Sequence, residues 1–371
     1  MLKPHHAFVA LLCLTGSATA QGQIAESFDV AVLQAPAPVR VDGGQRLLYE
    51  IHLTNLASRP LAISRIEVVD AATAARLAAY DEAQLKPRTV VIGSPDQQSL
   101  QVSRGDRVVV FVELELGVRN PAALRHVIQY AANDKTSSLT TASVPVAKPA
   151  RLELGPPLRG GPWVAIYNYD WQRGHRRVFY TLEGRARLPG RFAIDWVKVD
   201  DQGRTEAGDA DVPANAFGYG AEVLAVADAT VIAVRSDLAE SPTVSGNGKH
   251  SLADAAGNHV VLGLADGRFV IYEHLKPGSV TASVGSRVRR GQVIGALGFT
   301  GDSTGPHLHF HIADAGAPLT GEGLPYAFSQ FISLGRYPDI ANGLGSKPWE
   351  KSGPEQIDSA FPGPGVVIDF K

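Results

Sequence analysis

Apolar and polar residues alternate along much of this chain with a period of two. "RLLYEIHLT" puts Leu47, Tyr49, Ile51 and Leu53 on one side and Glu50, His52 and Thr54 on the other. Successive side chains of a strand point to opposite faces, so this run predicts a strand with one face in a core. "RIEVVD" follows after a short turn, and "RVVVFVELEL" alternates again from Val108 to Leu116. "PAALRHVIQY" fits either a short helix or another strand. Beyond a Pro/Gly-rich passage the short runs resume: "RFAIDWVKV", "EVLAVADATVIAV", "HVVLGLA", "RFVIYEHL", "GQVIGALG" and "HLHFHIA", joined by glycine-rich turns.

Short strands punctuated by Asp/Gly turns predict an all-β fold. The expected organisation is an immunoglobulin-like sandwich over 21–146, a linker over 147–162, and a second domain with a β-sheet core and Gly-rich hairpins over 163–340. A Gly/Pro-rich tail over 341–371 ends in a candidate strand, "GVVIDF". Residues 236–258 form a long polar loop of the sort that borders an active site. His52 and His126 read as ordinary strand or surface histidines.

Composition changes this picture little. The 371 residues suffice for two or three domains, and 44% hydrophobic with 19% charged residues is ordinary for a globular protein. A formal charge of −2 argues against nucleic acid as the partner. The first residues matter more. Lys3, the apolar run Ala7–Leu14 and the Ala18-Thr19-Ala20 sequence read as a signal peptide over 1–20, cleaved after Ala20. The apolar run is far short of the ~20 residues a membrane span needs, so no membrane segment is expected after cleavage. The protein is then periplasmic or secreted. Cys13, the single cysteine, leaves with that peptide. Any metal site of the exported chain must be built from His, Asp and Glu. The oligomeric state is not legible.

Candidate chemistry concentrates in "GDSTGPHLHFHI". Strand alternation sends Leu308, Phe310 and Ile312 to the core and His307, His309 and His311 to the opposite face. Neighbouring histidines there are about 6.6 Å apart along the strand, close enough to share one small site, whereas His311 is about 13 Å from His307. Imidazole is a common metal ligand, but a solvated histidine-rich face fits the same pattern.

Four segments of the second half resemble the lysostaphin-like zinc endopeptidases, which cut peptide cross-links of bacterial cell walls. "RFAIDW" is similar to the family's His-x-x-x-Asp motif, "YGAEVLAVADATV" to the strand pair after it, and "IYEHL" to its Tyr-x-His-Leu. "VGSRVRRGQVIGALGFTGDSTGPHLHF" resembles the glycine-rich run that ends in His-Leu-His. The likeness covers about residues 190–313. It implies that Asp195 and His309 are zinc ligands and that His307 and His274 are catalytic imidazoles. A catalytic zinc keeps three protein ligands and an open position, lowers the pKa of water to about 7 and polarises the scissile carbonyl. His311 stands where the family more often has an acidic residue and is expected at the rim.

One position departs from the pattern. Arg191 occupies the first place of His-x-x-x-Asp, and a guanidinium has donors only. The third zinc ligand must therefore come from elsewhere, or the site is degenerate. With four histidines of this half assigned, His175, His250 and His259 remain. His259 sits inside a strand, and His250 lies in a long polar loop that costs ordering entropy. His175, 16 residues before Arg191, is the expected ligand, with the "VFY" and "GRARLPG" segments folding back beside Asp195. Arg191 is then expected to pair with a carboxylate, either Asp195 or a group of the substrate.

Two functions follow. The first is a secreted zinc metalloendopeptidase acting on peptidoglycan stem peptides or cross-bridges. The second is a catalytically dead wall-binding module or activator of another hydrolase. Retention of Asp195, His274, His307 and His309 favours the first. A structural β-scaffold of the lipoyl-carrier kind shares the glycine-rich hairpins but needs a lysine at a hairpin tip.

Overall fold

The computed structural model describes residues 25–94, 98–133, 135–148, 152–172 and 174–371. The expected signal peptide over 1–20, with Cys13, lies outside the described residues. Among those described, the regular structure is nearly all strand, with only two four-residue α-helices, at Glu82–Leu85 and Ile340–Gly343. No helix there is long and apolar enough to cross a membrane.

The first half is a two-sheet sandwich. One sheet runs in the order Phe28–Ala31, Gly44–Asn55, Arg107–Glu115, Thr89–Val91. The other runs Lys135–Thr140, Ala123–Ala132, Leu61–Asp70, Arg76–Asp81. "PAALRHVIQY" is thus a strand. Leu47, Tyr49, Ile51 and Leu53 meet Ile63, Ile66, Val68 and Ile128 between the sheets, as the alternation predicts. The polar face of the same strand is not solvated: Glu50 is 4% and His52 5% exposed. Its neighbour carries apolar residues on both faces, and Val109 and Phe111 pack outward with Val90, Leu188 and Phe179. A strand that is apolar on both faces must be covered on both, and here the cover is the second half of the chain.

That second half is organised on an eleven-stranded sheet. Its middle runs Ala327–Arg336, Val366–Phe370, Gly160–Ile166, Ile194–Lys198, Leu308–Ala313, Phe269–Leu275, Asn258–Gly263, Ala229–Arg235. One face is an aromatic core in which Trp163, Trp196, Tyr272, Phe310, Phe328 and Phe370 are buried. Large rings dominate apolar burial, and edge-on contacts such as Trp196–Phe370 at 5.3 Å lock them together. Residues after 340 do not trail away from this sheet. Glu350–Ala360 and Val366–Phe370 are strands of it, and the latter sits between Gly160–Ile166 and Ala327–Arg336. "GVVIDF" is therefore an interior strand, which explains why Val367 and Ile368 have no exposure.

Candidate metal centre

Register brings the first site residues together. Ile194–Lys198 pairs with Leu308–Ala313 so that Asp195 stands directly opposite His309. On the other edge of the same strand His309 stands opposite Glu273. Directly paired residues share a face, so Asp195, His309 and Glu273 form one row across three strands. Ile194, Trp196, Leu308 and Phe310 point to the aromatic core, as the alternation requires.

His175 enters from outside the sheet. It opens a 3-10 turn, His175–Arg177, that packs on a second such turn, Pro189–Phe192, just ahead of the Asp195 strand. The approach depends on Gly190: a Cβ there would lie 2.6 Å from the His175 carbonyl oxygen and 2.7 Å from its Cβ. His175 Nε2 lies 2.7 Å from Asp195 Oδ2, and His309 Nδ1 lies 2.8 Å from Asp195 Oδ1. One donor atom from each of His175, Asp195 and His309 falls within 4.8 Å of the others.

The remaining two expected histidines flank this group. The His274 and His307 rings are 4.7 Å apart, and His307 Nε2 lies 3.5 Å from Asp195 Oδ1. Their tautomers follow from their partners. His274 Nδ1–H donates to the Thr300 carbonyl at 2.7 Å, and His307 Nδ1–H donates to the Gly305 carbonyl at 2.8 Å. A carbonyl only accepts, so in each neutral ring Nε2 is left with its lone pair. His274 also holds φ at 63°, a left-handed conformation that is costly for a residue with a side chain.

Burial sets the charges. It holds the His274 and His309 rings below their ordinary pKa, which keeps them neutral near pH 7. For Asp195 burial opposes ionisation, but His175 and His307 outweigh it and hold the carboxyl well below its usual range. Burial likewise opposes protonation of His175, and the facing Asp195 carboxylate overcomes it and raises the pKa. Each shift favours the charged form of its group, the imidazolium of His175 and the carboxylate of Asp195.

Two expectations need correction. His311 is not at the rim: it is 1% exposed, and its Nδ1 lies 3.1 Å from His309 Nε2. The strand's second face is roofed over by neighbouring segments, so alternation did not mean solvation. Arg191 reaches neither Asp195 nor open solvent. It is 5% exposed and donates to Glu50 Oε2 at 3.0 Å, Glu322 Oε2 at 2.9 Å and the Gly323 carbonyl at 3.0 Å. Its buried partners lie 141 residues before it and 131 after it, beyond what local spacing reveals. The other two candidates stand apart from the group: His250 pairs with Asp302, and His259 with the Gly257 carbonyl.

Glu273 was missed altogether. It is 3% exposed, and burial pushes its carboxyl up to about 8. Donor atoms of Glu273, His309 and His311 also lie within 4.8 Å of one another. Glu273 Oε1 and His311 Nε2 are buried without a hydrogen-bond partner among the described residues. The available signal was a carboxylate inside the otherwise apolar run "FVIYEHL".

Residues 211–320 match the family described as peptidase family M23. The chain is 43% identical over 63 residues to the DD-carboxypeptidase/endopeptidase Mpg of Neisseria meningitidis serogroup B, covering 17% of this chain and 14% of that protein. It is 41% identical over 64 residues to the peptidoglycan DD-endopeptidase ShyA of Vibrio cholerae, with the same two shares, 17% and 14%. The match therefore spans about one seventh of the length of these curated relatives. Among solved structures, the catalytic domain of the antimicrobial peptidase lysostaphin from Staphylococcus simulans aligns with 45% of this chain and 88% of its own, at 20% identity and a TM-score of 0.23.

Proposed function

The chain carries a peptidase family M23 domain of the lysostaphin-like kind, and on that premise we propose that it is a zinc metalloendopeptidase hydrolysing peptide bonds of peptidoglycan. The observation that carries this reading is the grouping of His175, Asp195 and His309 within 4.8 Å, with two further imidazoles beside them. Two nitrogens and a carboxylate oxygen are a donor set that suits zinc and leaves a position open. Zinc held there would act as a Lewis acid on the scissile carbonyl and make water a nucleophile near pH 7.

The chain's own groups then divide the work. Asp195 supplies an anionic ligand. His175 would hold the metal through Nε2, which must then carry a lone pair and no proton. His309 would bind through Nδ1, leaving its Nε2–H to donate to His311 Nδ1, 3.1 Å away, which would fix ring orientation. His274 and His307 face the centre with Nε2, suited to accept a proton from water and return it to the leaving amine. Their protonated forms also stabilise the charge that develops on the carbonyl oxygen. A groove of about 350 Å³, lined by Val212, Val244, Thr304, Gly305 and others, runs up to Asp195 and His307 and offers room for a peptide strand.

The degenerate reading, a wall-binding module or activator, rested on Arg191. His175 weakens it by bringing a third donor where Arg191 brings none. Metal analysis of purified protein together with digestion of peptidoglycan tests the proposal. Equimolar zinc and released peptide fragments are expected. A metal-free protein that binds peptidoglycan without cutting it would return the function to the degenerate reading.

We assign residues 21–146 to an immunoglobulin-like module, supported by its strand order, and within the expected linker 147–162 the strand Glu153–Leu154 and the start of Gly160–Ile166 already belong to the second sheet. The peptidase module takes in 163–340 and also 341–371, whose strands share its sheet. The protein is exported to the periplasm or beyond. N-terminal sequencing of exported protein should begin near Gln21, and recovery of Met1 would refute cleavage.

A further inference from the structure

We infer that the N-terminal sandwich positions the metal centre, holding His175 in place through Arg176. The inference rests on the zinc reading above and adds to it a task for the first half of the chain. The His175–Arg177 turn is three residues long, with no side-chain cap. So short a turn has little stiffness of its own. Its anchor is the next residue. Arg176 is 3% exposed and spreads its guanidinium over the sandwich. Nη1 donates to Glu113 at 3.0 Å and Nε to Glu50 at 3.4 Å, while Nη2 donates to the carbonyls of Tyr49 at 3.2 Å and Val112 at 2.8 Å. All four acceptors lie on two paired strands, Gly44–Asn55 and Arg107–Glu115.

Glu50 ties the second point. Its other oxygen accepts from Arg191 at 3.0 Å, in the turn that leads into the Asp195 strand. One carboxylate of the sandwich therefore fastens both turns that set the His175–Asp195 separation. Phe179 adds an apolar contact, its ring 5.7 Å from that of His52 and 6.3 Å from that of Phe111. A planar fork of donors fixes direction as well as distance. Arg176 and Glu50 are positioning residues: they touch no metal donor, and they act through the chain that carries two of them.

The test uses the full chain and compares Arg176→Met with Arg336→Gln. Arg336 pairs with Asp42 and also joins the two halves, but away from the histidines. Zinc affinity is read by competition with a chromogenic chelator, ligand geometry by the visible spectrum of the cobalt-substituted protein, and folding by thermal unfolding. Folded Arg176→Met should bind zinc about 10–100-fold more weakly, as when a group behind a ligand is lost, and show a changed cobalt spectrum. Arg336→Gln should keep native zinc affinity and spectrum. If Arg176→Met does not fold, Glu113→Gln is judged by the same two readouts, with a loss of at least about 3-fold expected. A folded variant that binds zinc like the native chain overturns the inference alone. A native chain that takes up no zinc overturns the zinc reading and this inference with it.

Discussion

His175 Nε2 and Asp195 Oδ2 lie 2.7 Å apart, although they are 20 positions apart in sequence and only Asp195 belongs to the sheet. Two tight turns and a glycine close that loop. The consequence is a donor group whose members come from a loop, a strand and the neighbouring strand, each fixed by a different interaction.

Replacing either histidine of this group should empty the site. His175→Ala and His309→Ala are each expected to lose bound zinc, measured as metal per chain. Adding Arg191→His to His175→Ala should not restore it. The side chain at 191 is directed to Glu50 and Glu322 rather than to the metal donors. Restored zinc in the double variant would refute the assignment of His175.

The flanking imidazoles should behave differently. His274→Ala and His307→Ala are expected to retain zinc and to lose about 10²–10⁴-fold in peptidoglycan cleavage. The contrast between metal content and rate is the measurement. Loss of zinc from both variants would make them ligands instead.

Arg191 is expected to matter for stability. It neutralises two carboxylates, Glu50 and Glu322, that are 4% and 5% exposed. Arg191→Met leaves Glu50 with only Arg176 and Glu322 with only the more distant Arg187, at a cost of up to about 3–5 kcal/mol. Urea unfolding should show that loss, and adding Glu50→Gln and Glu322→Gln should recover part of it. A loss under about 1 kcal/mol would mean that the pair contributes no more than an exposed one.

The sandwich should weaken in mild acid. Burial pulls His126 and His52 down to about 4 from an ordinary 6.5. Both rings are neutral in the folded chain, while the unfolded chain takes up protons as pH drops through 6.5. Their contribution is therefore complete above pH 6.5 and is lost as pH falls towards 4. For fully buried His126 it amounts to about 3 kcal/mol. His126→Asn should flatten the dependence of unfolding free energy on pH between 7 and 4.5. An unchanged slope would show that the ring is not responsible.

Much of this was legible in the sequence. Alternation alone sorted Leu308, Phe310 and Ile312 from the histidines, and the resemblance singled out Asp195, His274, His307 and His309. Elimination among histidines led to His175, which the fold brings to Asp195 and His309. What remained hidden depended on distant partners. Nothing near Arg191 indicates Glu50, because pairing across 141 residues leaves no local period. His311 read as exposed because alternation tells which face a residue takes, not what covers that face. Glu273 was overlooked for a related reason: a charged residue in an apolar strand is visible, but its orphaned environment is not.

The place of Val366–Phe370 has a consequence for how the protein comes into being. This strand closes the open edge of Gly160–Ile166, which in turn borders the strand that carries Asp195. Synthesis delivers it long after its partner, and pairings so far apart in sequence form slowly. Until then the edge beside Trp163 and Val164 is unpaired, and an unpaired strand edge is an invitation to aggregation. On this topology the sheet that carries Asp195 is complete only once Val366–Phe370 has been made and paired.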